Sequence, residues 1–103
     1  MALQNTFKRA LLKRERLVGG WFMSASPVIA ELMAHAGYDF LVVDIEHSIA
    51  STHDLHALLQ ATAATPTATV VRMASHDKTQ IKFALDQGAM SLYFPMVNTV
   101  EEA

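Results

Sequence analysis

The sequence contains no cysteine among its 103 residues. This absence excludes a disulfide framework and any thiolate-bound metal, and it favours a reducing compartment inside the cell. No apolar run reaches the roughly 18 residues that a membrane span requires. The start of the chain also lacks the apolar core of a secretory signal. We therefore expect a soluble, cytoplasmic protein with no membrane partner.

Signals for nucleotides and nucleic acids are also missing. No Gly-x-Gly-x-x-Gly or phosphate-loop motif follows a predicted strand, which disfavours a nucleotide-binding doubly wound fold. Five of the eight basic residues do fall within nine positions, at Lys8, Arg9, Lys13, Arg14 and Arg16. The apolar residues between them favour an amphipathic helix with a solvated basic face, and no aromatic residues are spaced there for stacking on bases. We therefore expect no nucleic-acid partner.

What the sequence does contain is a regular alternation of strand and helix patterns. After a helix over about residues 3–15, four short apolar stretches predict strands, at 17–24, 39–43, 68–71 and 91–94. The segments between them have helical spacing and cap residues, and Asn98 or Thr99 caps the first turn of another helix. Such alternation indicates crossover units and a parallel sheet. The last helix stops after barely one turn, so we expect the sequence to be a piece of a longer design.

The stretch from Asp39 to Ser48 is the most informative part of the sequence. An apolar run that is typical of a buried parallel strand ends abruptly, and Asp44, Glu46 and His47 follow. Arg72 comes at the corresponding place after the next strand. Because α/β sheets bind ligands at the carboxyl ends of their strands, these side chains should meet at one pocket. We interpret the stretch as half of an active site.

Several motifs together resemble the HpcH/HpaI aldolase family, in the right order and spacing over nearly the whole chain. They are Phe7-Lys8-Arg9-Ala10-Leu11, Gly20-Trp21, the segment from Ala30 to Asp39, Asp44-x-Glu46-His47-Ser48, Val70-Val71-Arg72, Ile81-Lys82, Leu85-Asp86-x-Gly88-Ala89 and Phe94-Pro95-Met96-Val97-Asn98-Thr99. The resemblance implies the N-terminal half of a (β/α)8 barrel, with four parallel strands and an N-terminal helix. Because a whole barrel usually needs about 250 residues, residues 1–103 would form a partial barrel domain of about three and a half strand-helix units after that helix.

The resemblance also implies a class II, metal-dependent aldolase that cleaves 2-keto-4-hydroxy acids into pyruvate, or a related keto acid, and an aldehyde. By that resemblance His47 is the general acid/base, Asp44 orients it, and Arg72 binds the keto acid and steadies the enolate. Trp21, Asp86 and the loop 95–97 would line the site or a subunit boundary, with Glu46 in support. The family's metal, magnesium, manganese or cobalt, is held by acidic ligands expected beyond residue 103. The chain alone is then expected to bind no metal and to be inactive, and the whole protein to be a homo-oligomer.

Retro-aldol chemistry suits these residue types independently of the family. It needs a base near neutral pH, such as imidazole, and positive charge at the developing enolate oxygen, such as a forked guanidinium. Structural alternatives stay open: His47 could cap a loop, Asp44 could hold the turn, and Glu46 could bond backbone groups or contact a metal through water. Arg72 could form a structural ion pair with either carboxylate. Ile45 stands where small residues are common in the family and adds bulk to the turn.

Two other functions remain open at this point. An unclosed half-barrel exposes two sheet edges and an apolar inner face, which favours a non-catalytic, self-associating fragment. A citrate-lyase-like branch that cleaves acyl thioesters is the alternative chemistry. His53 and His56 are three apart on a predicted helix and could bind a metal from one face, although a solvated pair is the simpler interpretation.

Overall fold

The computed structural model describes residues 3–103, in which helices and strands alternate as the sequence predicts. The elements in chain order are α1 (Thr6–Leu12), β1 (Gly19–Phe22), α2 (Pro27–Ala34), β2 (Phe40–Asp44), α3 (Leu55–Thr62), β3 (Ala68–Arg72), α4 (Lys78–Asp86) and β4 (Ser91–Tyr93). The predicted architecture of four strands after an N-terminal helix is thereby confirmed. No helix in the described range is both long and apolar enough to cross a lipid bilayer.

The four strands form one parallel sheet in the order β1-β2-β3-β4. Each strand therefore lies beside the strand that precedes it in sequence, which is the strand order of a (β/α)8 barrel. The register pairs Asp44 with Arg72, and Arg72 with Tyr93. Because partners in a parallel ladder point to the same face, these three side chains form one row at the carboxyl edge.

Local side-chain caps explain where α1, α2 and α4 begin. Asn5, Ser26 and Asp77 each accept a hydrogen bond from the backbone N–H three residues later. Pro27 follows the Ser26 cap at the first helical position, where its missing N–H has no helical partner to lose. Helix α1 is shorter than the predicted 3–15, because Arg14 adopts a left-handed conformation with φ of 55° and ends it.

The sheet has two different faces. On one face Phe22, Val43 and Val71 pack against α2, α3 and α4 and form the main core with Leu55 and Leu58, all of them buried. The opposite face is concave and apolar, and it encloses an open cavity of about 440 Å³. The residues that line this cavity are Phe7, Gly19, Gly20, Trp21, Phe40, Val42, Val70, Leu92 and Tyr93. The concave face corresponds to the interior of a barrel, which other strands would fill.

Helix α1 closes the amino-terminal end of this concave face. The ring of Phe7 lies 5.0 Å from that of Phe40, measured between centroids, in a tilted arrangement. Gly19 sits beside the same ring, so closely that a Cβ atom there would lie 2.3 Å from Phe40 Cε2. A side chain at this point of β1 would therefore have to displace the Phe40 ring. The opposite, carboxyl end of the concave face remains open and carries the polar residues.

Candidate active site

Asp44 organises the turn that follows β2. Its side chain is buried, with 2% of the residue exposed. Oδ1 accepts hydrogen bonds from the backbone N–H groups of Glu46 and His47, at 2.8 and 2.9 Å, and Oδ2 accepts one from Trp21 Nε1 at 3.0 Å. Ser48 Oγ donates to the Asp44 carbonyl, and Ile45 turns into the core, where its bulk is buried. The turn is therefore fixed from within by one carboxylate.

These hydrogen bonds also set the ionisation of Asp44. Burial by itself would raise the pKa of the carboxyl group. The hydrogen bonds from the His47 N–H, the Trp21 indole and the Glu46 N–H, together with the nearby His47 side chain, outweigh burial and hold the pKa below its ordinary value. Asp44 is therefore an anion throughout the neutral range and presents acceptors only.

Glu46 and Arg72 form an ion pair across the ends of β2 and β3. Glu46 Oε2 contacts Arg72 Nη2, and each side chain is 17% exposed. Arg72 Nε is buried and has no hydrogen-bond acceptor among the described residues. A buried charged donor without a partner is costly, so this nitrogen favours a ligand that brings an oxygen atom. Of the alternatives left open by the sequence, the structure selects Glu46 as the partner of Arg72.

His47 lies at the rim of the same site and is much more open. Its side chain is 67% exposed, and Nε2 lies 3.4 Å from Glu46 Oε2. No hydrogen bond joins the imidazole to Asp44 in the part of the chain that the structure describes, where the Asp44 oxygens accept from the Glu46 and His47 backbone and from Trp21. Asp44 therefore holds the backbone of His47, whereas Glu46 stands beside its ring. The orienting role predicted for Asp44 would act through that backbone.

An aromatic pair completes the site. The rings of Trp21 and Tyr93 meet edge to face, with centroids 6.0 Å apart, and the Arg72 Cζ atom lies over the Tyr93 ring, 5.0 Å from its centroid. Trp21 is among the site residues predicted from the sequence, whereas Tyr93 is not. Its position could have indicated a place at the site, because Tyr93 ends β4 as Arg72 ends β3. Contacts thus run in a closed circuit from Trp21 through Asp44, Glu46, Arg72 and Tyr93.

Asp86 lies away from this circuit. It is the last residue of α4, and it is exposed. A helix that connects two parallel strands runs back from the carboxyl edge of the sheet to the amino edge, so its final residue lies at the edge opposite Arg72. The structure therefore does not bring Asp86 to the candidate site within this chain. A boundary between subunits is the predicted role that this position still permits.

The loop 95–97 follows β4 and stays at the carboxyl edge. His76 Nε2 lies 2.6 Å from the Pro95 carbonyl oxygen, which links this loop to the segment after β3. Pro95 is buried, whereas Met96 and Val97 are exposed. The loop is therefore anchored at its first residue and presents an apolar surface beside the open end of the concave face.

The described residues do not provide the ligand set that a metal-dependent family implies. No group of three or more His, Asp or Glu side chains among residues 3–103 could hold a metal ion. Both carboxylates at the site are already engaged, Asp44 by N–H groups and Glu46 by Arg72. His53 and His56 likewise belong to no such group. The arrangement is suited to binding an anionic or carbonyl oxygen and to moving a proton.

Comparisons with known proteins identify relatives of the whole chain. The chain is 43% identical over 101 residues to the 2-keto-3-deoxy-L-rhamnonate aldolase of Klebsiella pneumoniae, a match that covers 98% of this chain and 38% of that enzyme. It is also 43% identical over 100 residues to the hydroxypyruvate/pyruvate aldolase of Sagittula stellata, covering 97% of this chain and 40% of the relative. The chain thus spans about two fifths of the length of these curated relatives.

Solved structures and a family model complete the comparison. The crystal structure of an HpcH/HpaI aldolase/citrate lyase family protein from Burkholderia cenocepacia superposes with a TM-score of 0.92 at 38% identity, covering 96% of this chain and 40% of that one. The model of the family described as HpcH/HpaI aldolase/citrate lyase matches residues 17–103. The chain therefore belongs to the HpcH/HpaI aldolase/citrate lyase family, as an N-terminal portion of its barrel.

Proposed function

We propose that the whole protein is a carbon-carbon lyase that cleaves 2-keto-4-hydroxy acids to pyruvate, or a related keto acid, and an aldehyde. In this proposal residues 1–103 form a partial barrel domain that supplies the acid-base group and the keto-acid-binding group. The observation that carries the proposal is the joining of Asp44, Glu46, His47 and Arg72 at the carboxyl edge of the sheet. Two relatives that act as aldolases support it.

Arg72 is the group that we assign to the keto acid. Its guanidinium is held by Glu46 on one nitrogen, while the buried Nε has no acceptor among the described residues. The carboxylate or carbonyl oxygen of a 2-keto acid would satisfy that donor. The fixed positive charge then lies where the enolate oxygen develops, and preorganised charge of this kind lowers the barrier most when water is excluded.

His47 is the group that we assign to the proton. Its exposed imidazole can accept the proton of the C4 hydroxyl as the C3–C4 bond breaks, with the bonding electrons passing to the enolate. The Glu46 carboxylate, 3.4 Å from Nε2, stabilises the imidazolium that results. The same proton can then return to C3 and complete pyruvate. Asp44 contributes by holding the His47 backbone in the turn, and Trp21 by holding Asp44.

The remaining features of the proposal concern the metal, the location and the assembly of the whole protein. The family is the class II aldolase group, which is generally metal-dependent, and we propose magnesium, manganese or cobalt in the whole protein. Its ligands would come from segments outside residues 1–103, so the chain alone is expected to be inactive. We further propose a cytoplasmic homo-oligomer with small-molecule substrates and no nucleic-acid or membrane partner, with Asp86 at a subunit boundary.

A second candidate is a non-catalytic half-barrel that self-associates. It is favoured by one observation, the open concave face on which Trp21 and Tyr93, one on each edge strand, are 47% and 46% exposed. Such edges and apolar surfaces promote association. The citrate-lyase branch, which would cleave an acyl thioester, remains the alternative chemistry within the family description.

The test is a chimera in which this chain replaces the matched 101 residues of the Klebsiella aldolase. Pyruvate released from 2-keto-3-deoxy-L-rhamnonate and from a simpler 4-hydroxy-2-keto acid is measured with lactate dehydrogenase and NADH, with and without manganese. The intact Klebsiella enzyme is the positive control, and the isolated 103-residue chain is assayed beside it. Circular dichroism and gel filtration establish that the chimera is folded.

The outcomes separate the candidates. Pyruvate release by the chimera, with none from the isolated chain, supports the proposal. A folded chimera that releases no pyruvate from either keto acid but cleaves a malyl thioester to an acetyl thioester and glyoxylate would assign the chain to the citrate-lyase branch. A folded chimera without either activity, together with an isolated chain that forms discrete oligomers, would favour the non-catalytic half-barrel.

A further inference from the structure

Tyr93 is the one member of the contact circuit that neither the sequence motifs nor the proposed mechanism uses. It ends β4 in register with Arg72, and its side chain points to the same face of the sheet. The residue is 46% exposed and lines the concave cavity. Its contacts with the Arg72 guanidinium and the Trp21 ring distinguish it from a side chain that only lines the cavity.

The ring of Tyr93 covers one side of the Arg72 guanidinium. The Arg72 Cζ atom lies 5.0 Å from the ring centroid, within the range of about 6 Å in which a cation is attracted by an aromatic face. Glu46 holds the same guanidinium through Nη2, and Trp21 braces the ring edge to face at 6.0 Å. The guanidinium is therefore restrained by a carboxylate and by an aromatic plane.

This double restraint has a consequence for binding. Arginine carries about 2 kcal/mol of rotamer entropy, which a mobile side chain would lose on fixing a ligand. A guanidinium already restrained by Glu46 and Tyr93 loses less and keeps its free Nε aimed in one direction. The ring also shields the guanidinium from water on one side, which strengthens its attraction for an oxygen anion.

We infer that Tyr93 is a positioning residue for keto-acid binding, acting through Arg72 by its aromatic face and not by its hydroxyl group. The inference rests on the proposed role of Arg72 as the keto-acid-binding group. In this inference the aromatic ring at position 93, of tyrosine or of any other aromatic residue, contributes to the affinity for the 2-keto acid. It predicts no part for the tyrosine oxygen in proton transfer, which stays with His47.

Two variants of Tyr93 separate the ring from the hydroxyl. Tyr93→Phe keeps the aromatic plane, whereas Tyr93→Leu keeps a similar apolar volume and removes it. Tyr38→Leu is the matched control, because Tyr38 precedes β2 at the opposite, amino edge of the sheet. The steady-state KM for pyruvate and kcat are measured in the aldol-addition direction with the chimera described above, and pyruvate binding is measured by calorimetry.

We expect Tyr93→Leu to raise KM and the Kd for pyruvate about three- to tenfold, the range that a partly desolvated cation–π contact supplies. Tyr93→Phe and Tyr38→Leu should both stay within about twofold of the parent, as expected when the ring alone matters. Equal losses in Tyr93→Phe and Tyr93→Leu would overturn the inference, because they would assign the effect to the hydroxyl. So would unchanged KM and Kd in Tyr93→Leu.

A second measurement does not depend on aldolase activity. In the 103-residue chain, the Arg72 Hε proton should show an upfield ring-current shift in a ¹⁵N-edited NMR spectrum, because the guanidinium lies over the ring. Tyr93→Phe should keep that shift, and Tyr93→Leu should abolish it. An unchanged Arg72 resonance in Tyr93→Leu sinks the inference even if the enzyme is active. If Tyr93→Leu abolishes the shift but the parent chimera is inactive, the contact between the ring and Arg72 stands. The failure then counts against the proposed function alone.

Discussion

The indole of Trp21 donates a hydrogen bond to the carboxylate of Asp44 across neighbouring strands, with Nε1 3.0 Å from Oδ2. The second oxygen of the same carboxylate holds the backbone of the turn that carries Glu46 and His47. A single buried anion thus connects β1 to the turn after β2. The position of the candidate base depends on this connection, although the imidazole itself makes no hydrogen bond to Asp44.

The first prediction concerns the pH dependence of stability. The pKa of Asp44 is lower in the folded chain than its ordinary value near 3.8. The folded state therefore binds this proton less readily than the unfolded state, and the resulting stabilisation is complete above about pH 4 and is lost as the pH falls through the folded pKa. Asp44→Asn should cost about 1–3 kcal/mol at pH 7, because an amide donor then faces the indole donor. The difference between the two proteins should shrink at pH 3.

Urea unfolding followed by tryptophan fluorescence measures the free energy of unfolding and tests this prediction. Trp21 is the only tryptophan in the sequence and touches the carboxylate in question, so its emission reports on the contact directly. Asp86→Asn is the control, because the Asp86 side chain is exposed and accepts no hydrogen bond in the described part of the chain. A stability difference between the parent and Asp44→Asn that stays constant from pH 7 to pH 3 would contradict the argument.

The second prediction concerns the pair formed by Glu46 and Arg72. Replacing Arg72 by leucine leaves the mostly buried Glu46 carboxylate with only the exposed His47 imidazole beside it, and breaking a buried pair in this way costs about 3–5 kcal/mol. Because both side chains are 17% exposed, we expect the lower end of that range. The double variant Glu46→Leu/Arg72→Leu should recover at least half of the loss, since no uncompensated charge remains.

Equilibrium unfolding of the parent, the two single variants and the double variant closes this cycle. A positive coupling between the two positions is expected, with the double variant more stable than Arg72→Leu alone. If the losses in the single variants simply add, the two side chains do not interact in solution. When the same changes are made in the chimera, aldolase activity should be lost in both variants that lack Arg72, whatever their stability.

Much of the fold could be predicted because its signals are local. Apolar runs and cap residues such as Ser26 and Asp77 act within one turn of chain, and the structure has the predicted strands to within a few residues. The end of α1 was missed because nothing in the sequence marks Arg14 for a left-handed conformation. Asp44 also extends β2 by one residue, since its pairing with Arg72 depends on a strand that is distant in sequence.

The candidate site was less predictable than the fold, because side-chain partners depend on register. The sequence left Arg72 free to pair with Asp44 or Glu46, and only the geometry of the turn, in which N–H groups occupy Asp44, leaves Glu46 to Arg72. Tyr93 was missed because its place beside Arg72 requires the pairing of β3 with β4. The position of Asp86 could have been predicted, since the end of a crossover helix lies at the amino edge.

The third prediction concerns Gly19 and the end of the concave face. A methyl group at Gly19 would lie 2.3 Å from the Phe40 ring, which itself packs on Phe7. Gly19→Ala should therefore displace the ring and destabilise the chain by about 1–3 kcal/mol, as overpacking does. Adding Phe40→Leu makes room for the methyl group, so the double variant should lose less than the sum of the single variants. Strict additivity in urea unfolding would show that Gly19 and Phe40 are not in contact.

The final prediction separates chemistry from stability at His47. Its imidazole is 67% exposed and lies near one carboxylate, so His47→Gln should change the free energy of unfolding by no more than about 0.5 kcal/mol. If the imidazole moves the proton of the C4 hydroxyl, the same change should lower kcat of the chimera by about 10²- to 10⁴-fold. His53→Gln is the matched control, because His53 is also exposed but precedes α3 and packs its ring against Phe83, 6.5 Å away between centroids. Pyruvate release that survives His47→Gln, or falls equally in His53→Gln, would remove His47 from the mechanism and leave Arg72 as the part of the proposal still standing.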